Sequence, residues 1–271
     1  MELRACGDGS DQAGRTGRAQ DIAVPTFKPD HVFQKRGEMR SVSEPPSASA
    51  RAFHIRPLTT GAELRVTGPL DAPAAVVCVN GGQSAEVEGT WSASLEWLVR
   101  RLAPQFPALA FAEVRYRIKS WNKLDWCVED ARAAVAQVGA RRTLLLGFSM
   151  GGAVSVRTAD DPSIETVLGI APWLPDQLSV VPLRGKRLRV LHGSLDRAFP
   201  GIPGVAPALG RRGFERALAC GAEGEYTLIR GGLHGLAVRA PSGQLIALPR
   251  ASKWASLVAE ELTRFAKCPS T

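Results

Sequence analysis

The chain has 271 residues, 45% of them hydrophobic and 22% charged, which is enough for one sizeable core and too apolar for wholesale disorder. No apolar run approaches the roughly 20 residues that cross a bilayer, and residues 1–8 hold no hydrophobic secretion segment. The formal net charge is +8, but the arginine pairs at 100–101, 141–142 and 211–212 are dispersed and not interleaved with aromatics, so they read as solvated helix ends and strand starts rather than a nucleic-acid groove.

Residues 1–50 mix Gly, Arg, Ser, Pro, Asp and Gln without periodicity and carry seven basic and seven acidic residues, so the whole excess of charge falls on the rest of the chain. Such a segment buries too little apolar surface to offset its ordering entropy, and a disordered arm ending in the linker Glu44–Ala50 is expected. All recognisable structure starts after Met39, which suggests that translation begins there; the intact mass of the native protein checks this. A single domain is expected over 51–271.

Within it, strand and helix patterns alternate, which implies an α/β architecture: a mostly parallel, doubly wound sheet with helices on both faces. Phe53–Leu58 and Ala62–Thr67 form an antiparallel pair around Thr60-Gly61, and Ala74–Val79 is the first buried parallel strand. A helix follows over Ser92–Phe106, with Leu95, Leu98, Val99 and Leu102 on one face, then a strand over Leu109–Tyr116 and a helix over Trp126–Val138 that ends at Gly139. Further strands are expected at Thr143–Leu146, Thr166–Ile170, Arg187–Leu191 and Tyr226–Ile229, with helices over Pro207–Ala219 and Ala251–Phe265. Trp254, Leu257, Val258, Leu262 and Phe265 recur at helical spacing and read as core.

Gly147-Phe148-Ser149-Met150-Gly151, of the form G-x-S-x-G, follows the apolar run Thr143–Leu146 and precedes the small-residue helix start Gly152-Ala153-Val154. Strand, sharp turn and helix together would hold the Ser149 hydroxyl at the tip of an elbow above the sheet. An ordinary hydroxyl is protonated at neutral pH, so attack needs a base and a group that orients it. Both partners follow in order: Asp196, in Gly193-Ser194-Leu195-Asp196 after one strand, and His234, in Gly231-Gly232-Leu233-His234-Gly235 after another. The gaps of 47 and 38 residues each admit one helix and one strand, so all three residues reach the same sheet edge. Of the other histidines, His31 lies in the arm, His54 precedes the sheet core, and His192 reads as a structural histidine hydrogen-bonding in the loop after its strand. Ser149 is therefore the expected nucleophile, His234 the base and Asp196 its orienter.

These motifs, in this order, resemble the α/β-hydrolase superfamily over about residue 52 to the C-terminus. The resemblance implies an oxyanion loop after the Ala74–Val79 strand, where Asn80-Gly81-Gly82-Gln83 stands; relatives often place a histidine where this chain has Asn80. The implied oxyanion donors are the backbone N–H of Met150 and that of Gly82 or Gln83. Where relatives often insert a lid, Ala171–Lys186 offers about sixteen residues with prolines at 172, 175 and 182, so a lidless or minimally lidded enzyme with an open cleft is expected. The compact layout looks like the dienelactone-hydrolase and esterase branch, although serine in place of cysteine argues against a standard dienelactone hydrolase. Asn80, Gly81, Phe148 and Leu233 are expected around the substrate. Trp173 either walls the acyl pocket or joins the core, Trp121 either forms another wall or caps a solvent-facing loop, and Glu86 and Glu88 either flank the mouth or are simply solvated.

The expected function is that of a serine hydrolase cleaving a small carboxylic ester through an acyl-enzyme. Thioester or amide hydrolysis and acyl transfer would use the same parts, and a catalytically silent scaffold that binds partners is the alternative from another class. No C-x-x-C pair, His/Cys cluster or phosphate-cradling loop is present, so neither metal nor cofactor is expected. Five scattered cysteines, Cys6, Cys78, Cys127, Cys220 and Cys268, point to free thiols in a reducing, cytoplasmic setting. The expected partner is a small-molecule acyl substrate, without nucleic acid or membrane span; the sequence leaves the oligomeric state open.

Overall fold

A computed structural model describes residues 53–196 and 204–267. The expected N-terminal arm, the Met39 start, Cys6 and Cys268 lie outside the described residues. Eight strands form one sheet: β1 (Phe53–Pro57), β2 (Glu63–Thr67), β3 (Ala74–Val79), β4 (Ala110–Arg115), β5 (Arg142–Phe148), β6 (Ile164–Ile170), β7 (Arg187–Gly193) and β8 (Glu223–Ile229). Their order is β1-β2-β4-β3-β5-β6-β7-β8. The β1–β2 and β2–β4 pairs are antiparallel and the remaining pairs parallel.

Strand alternation builds two cores from one sheet. Along β3, Ala75, Val77 and Val79 face one layer while Ala74, Val76 and Cys78 face the other. The first layer packs on α2 (Leu124–Val138), α3 (Met150–Thr158) and α4 (Pro207–Ala219); the second packs on α1 (Ala93–Leu102) and α5 (Ala251–Lys267). All six β3 residues are buried, as a strand covered on both faces requires. The apolar stripe of α5 is anchored by Trp254, fully buried beside Val258 and Leu262. Each such side chain contributes roughly 1.5–3 kcal/mol by leaving water.

The helix ends follow from local chemistry. Ser92 caps α1, its hydroxyl accepting from Leu95 N–H at 3.4 Å. Gly139 ends α2 in the left-handed conformation, φ 61°, that a side chain would strain.

Several boundaries differ from the sequence reading. The α1 helix stops at Leu102, because Pro104 converts the last turn into a 3-10 segment, Ala103–Gln105. β7 runs on through His192 and Gly193, so His192 belongs to the strand and not to the loop. Arg142 is not a solvated strand start either: it is half-buried, forked onto Glu165 at 2.7–3.0 Å and bonded to the Phe265 carbonyl at 2.9 Å. Two short ribbons lie outside the sequence reading, Val87–Glu88 with Ile118–Lys119 and Ala237–Arg239 with Leu245–Ala247.

No cap interrupts the sheet between β6 and β7, where a single 3-10 turn, Val181–Leu183, is the only helical element. No helix among the described residues is long and apolar enough to cross a membrane.

Candidate active site

The parallel register aligns the strand ends that carry the candidate residues. Val79 pairs with Gly147, Phe148 with Ile170, Ile170 with Leu191, and Gly193 with Ile229. The loops after β3, β5, β7 and β8 therefore leave one edge together, as ligand-binding loops do in open α/β sheets.

Ser149 sits between β5 and α3 at φ 55° and ψ −120°, a conformation that costs a non-glycine residue of order 1–3 kcal/mol. Backbone bonds over-determine it. Ser149 N–H donates to Ile170 O at 3.0 Å, and its carbonyl accepts from Gly152 at 2.9 Å and Trp173 at 2.8 Å. The flanking glycines are sterically required: a side chain on Gly147 would meet Ser155 Oγ at 2.6 Å, and one on Gly151 would meet Asn80 O at 2.7 Å.

One hydrogen-bonded chain joins the three candidates. His234 Nε2 lies 3.0 Å from Ser149 Oγ, and His234 Nδ1 lies 2.9 Å from Asp196 Oδ1 and 3.0 Å from Oδ2. Facing a carboxylate, Nδ1 carries the proton, which leaves Nε2 of the neutral ring to accept from the serine hydroxyl. Asp196 is fully buried, and His234 is 7% exposed. Phe148 flanks the imidazole with ring centroids 5.2 Å apart.

Asp196 has two further donors that the sequence reading missed. His192 Nε2 lies 3.0 Å from Asp196 Oδ2 and 2.9 Å from Val205 O; with two acceptors before it, that nitrogen carries the proton. Val205 N–H donates to Asp196 Oδ1 at 2.9 Å. Burial raises the Asp196 pKa, but the hydrogen bonds from His192 and then His234 outweigh it and hold the carboxyl below its ordinary value. The His192-Gly193-x-x-Asp196 spacing was the available signal; it does not show that the imidazole folds back onto the carboxylate.

The loop after β3 lies over the serine. A side chain on Gly81 would stand 3.2 Å from Ser149 Cβ, and one on Gly82 would collide with the Met150 side chain. Asn80 shapes this loop. Its Oδ1 accepts from Gly81 N–H at 2.7 Å, its Nδ2 donates to Thr90 O at 2.7 Å, and its carbonyl accepts from Tyr116 Oη at 3.0 Å. Gly81 N–H is thereby occupied, whereas among the described residues the N–H groups of Met150, Gly82 and Gln83 have no protein acceptor.

A cavity of about 490 Å³ opens beside Ser149 and His234, within the usual range for small-molecule sites. Asn80, Gly81, Gly82 and Phe148 line it; Trp121, Trp173, Leu233 and Gln83 are not among its walls. Trp121 and Trp173 pack on the core layer that holds α2 and α3, and the Gln83 carbonyl accepts from Trp121 N–H at 3.0 Å. The Glu86 and Glu88 carboxylates turn to Lys123 and Arg115 at 3.7 and 3.9 Å and do not line the cavity. The walls also include Thr90, Trp91, Lys119, Val238 and Arg239, whose segments come together only in the folded chain. No group of three or more His, Cys, Asp or Glu able to hold a metal occurs among the described residues. Cys78 and Cys127 are buried free thiols that burial pushes up, Cys127 to about 11.

No protein-family model matches the chain, and no curated protein matches it in sequence. Solved structures do match. A lidless α/β serine hydrolase from Xanthomonas campestris aligns with TM-score 0.57 and 15% identity over 84% of this chain and 100% of that one. An esterase from Pyrococcus furiosus aligns with TM-score 0.58 and 14% identity over 79% and 91%, and an α/β serine hydrolase homologue from Coxiella burnetii with 0.56 and 14% over 80% and 99%. The chain has the α/β-hydrolase fold in its capless form.

Proposed function

We propose that the protein is a serine hydrolase acting on small carboxylic esters. The observation that carries this reading is the unbroken chain Ser149 Oγ to His234 Nε2, then His234 Nδ1 to Asp196, at 2.9–3.0 Å, with the serine held in a strained elbow. Ser149 attacks the carbonyl carbon while His234 takes the hydroxyl proton, and Asp196 fixes the tautomer and stabilises the imidazolium. The tetrahedral oxyanion accepts from Met150 N–H and from Gly82 or Gln83 N–H, each donor worth roughly 2.7–4 kcal/mol in the transition state. His234 returns the proton to the leaving alcohol, then activates the water that cleaves the acyl-enzyme. The same steps cleave a thioester or transfer the acyl group to another alcohol, so the ester assignment rests on economy and on the esterases among the structural likenesses. Without a cap, the 490 Å³ cavity favours short acyl groups over long lipid chains.

A fluorophosphonate probe tests the reading. It is expected to label the wild-type protein and not Ser149→Ala, and the unlabelled wild type is expected to cleave nitrophenyl esters with rates that fall as the acyl chain lengthens. A folded wild type that takes no label would instead support a silent scaffold that binds partners.

A further inference from the structure

The cavity beside Ser149 carries a charge that ester hydrolysis does not use. No Asp or Glu lines it among the described residues, whereas Lys119 and Arg239 both do. Arg239 is held by Glu96 at 2.8 Å, but the same carboxylate also serves Arg65 at 2.9 Å and Arg100 at 2.6 Å. With Glu113 on Arg65, two carboxylates answer three guanidinium groups, and this cluster behind the wall stays positive.

Lys119 is the distinctive group. It comes from the short ribbon paired with Val87–Glu88, and its ammonium donates to Thr90 Oγ1 at 2.9 Å, another wall of the same cavity. No carboxylate among the described residues lies within ion-pairing distance of it. Burial lowers its pKa, and no acidic neighbour offsets that effect. A half-desolvated cation facing a concave, acid-free surface attracts an anion, both by the field it focuses in the cleft and by the charge-assisted bond it can form.

We propose that the substrate hydrolysed at Ser149 carries a carboxylate, received in the cavity by Lys119 with Thr90 beside it. Lys119 offers one uncommitted charge, because Arg239 is tied to Glu96, and this matches a monoanion. The inference rests on the hydrolase reading and deepens it. It predicts a half-ester or acyl-acid substrate in place of a neutral ester.

The test begins with fluorophosphonate labelling of Ser149, so that a missing activity is separated from a missing preference. On untreated protein from a preparation that takes the label, kcat/KM is compared within two matched pairs: mono-4-nitrophenyl adipate against 4-nitrophenyl hexanoate, and 3-acetoxybenzoate against phenyl acetate. The first pair carries the charge on the acyl side and the second on the alcohol side. The carboxylate is expected to raise kcat/KM at least about tenfold in one pair, the scale of a hydrogen bond between charged groups. Lys119→Met should abolish that ratio and Lys119→Glu should invert it, while Lys123→Met, which removes a charge outside the cavity, should keep it. Active protein that prefers the neutral member of both pairs, or a ratio that survives Lys119→Met in a variant that still takes the label, overturns the proposal and leaves the hydrolase reading standing. Absence of labelling overturns both.

Discussion

His192 shows how much one side chain contributes when its proton position is forced. Its Nε2–H is shared between Asp196 Oδ2 and Val205 O, and its Nδ1, buried beside Gly210, has no partner among the described residues. The ring therefore donates to Asp196 through Nε2–H, fixing which carboxylate face turns to His234. We expect His192→Leu to lower kcat about tenfold with little change in KM, because positioning rather than binding is lost. His192→Gln, which keeps a donor near the same place, should restore most of it. Steady-state kinetics on 4-nitrophenyl acetate measure both variants; equal kcat in His192→Leu and wild type would remove His192 from the positioning role. The lone Lys119 is the opposite case at this scale. A lysine after two strand-like residues carries no pattern, and its meaning came from the concave surface around it.

At the scale of elements, the antiparallel edge and α1 are joined by buried charge rather than by apolar contact alone. Arg65 on β2 donates to Glu113 on β4 at 2.6 and 2.9 Å and to Glu96 on α1 at 2.9 Å, with Trp91 stacked 4.6 Å from its guanidinium. Without Arg65, Glu96 keeps Arg100 and Arg239, but Glu113 is left buried without an ion-pair partner among the described residues. Arg65→Met is therefore expected to cost about 3–5 kcal/mol in urea unfolding. Arg65→Met combined with Glu113→Leu should recover part of the loss, since the stranded carboxylate goes with it. A single-variant cost under about 1 kcal/mol would show that water reaches the carboxylates. The strands of this region were legible from alternation, but the pairing of Arg65 with Glu113 was not. It depends on β4 lying between β2 and β3, an order that only the sheet defines.

For the whole molecule, four buried carboxyls with shifted pKa values give stability a definite dependence on pH. Burial raises Asp196 and Glu96, but their hydrogen-bond donors outweigh it and hold both below the ordinary range. A carboxyl with a folded pKa below its unfolded value of about 4 contributes stability that is complete above pH 4 and lost as pH falls through the folded pKa. Burial raises Glu113 despite Arg65 and Asp130 despite Thr60 and Arg117, so their sign is opposite: their ionised forms are a cost at neutral pH, relieved as pH falls through the raised pKa values. The urea midpoint should therefore rise slightly from neutral into mildly acidic solution, then fall steeply below about pH 4. Glu113→Gln should reduce the rise and keep the fall. A midpoint that stays level between pH 5 and pH 3 would contradict the depressed values of Asp196 and Glu96.

The sequence by itself determined the alternation of strands and helices, the G-x-S-x-G elbow and the order serine, aspartate, histidine. These are written in local patterns: the period of side chains along a strand or helix, and the glycines that a sharp turn requires. Tertiary structure alone decided that His192 donates to Asp196, that Trp121 and Trp173 join the core and leave the cavity, and that Lys119 and Arg239 face Ser149 across an acid-free surface. Such contacts are set by which loops meet at the edge of a folded sheet. Residues far apart along the chain carry no shared period, so their meeting has no signature until the strands are in register.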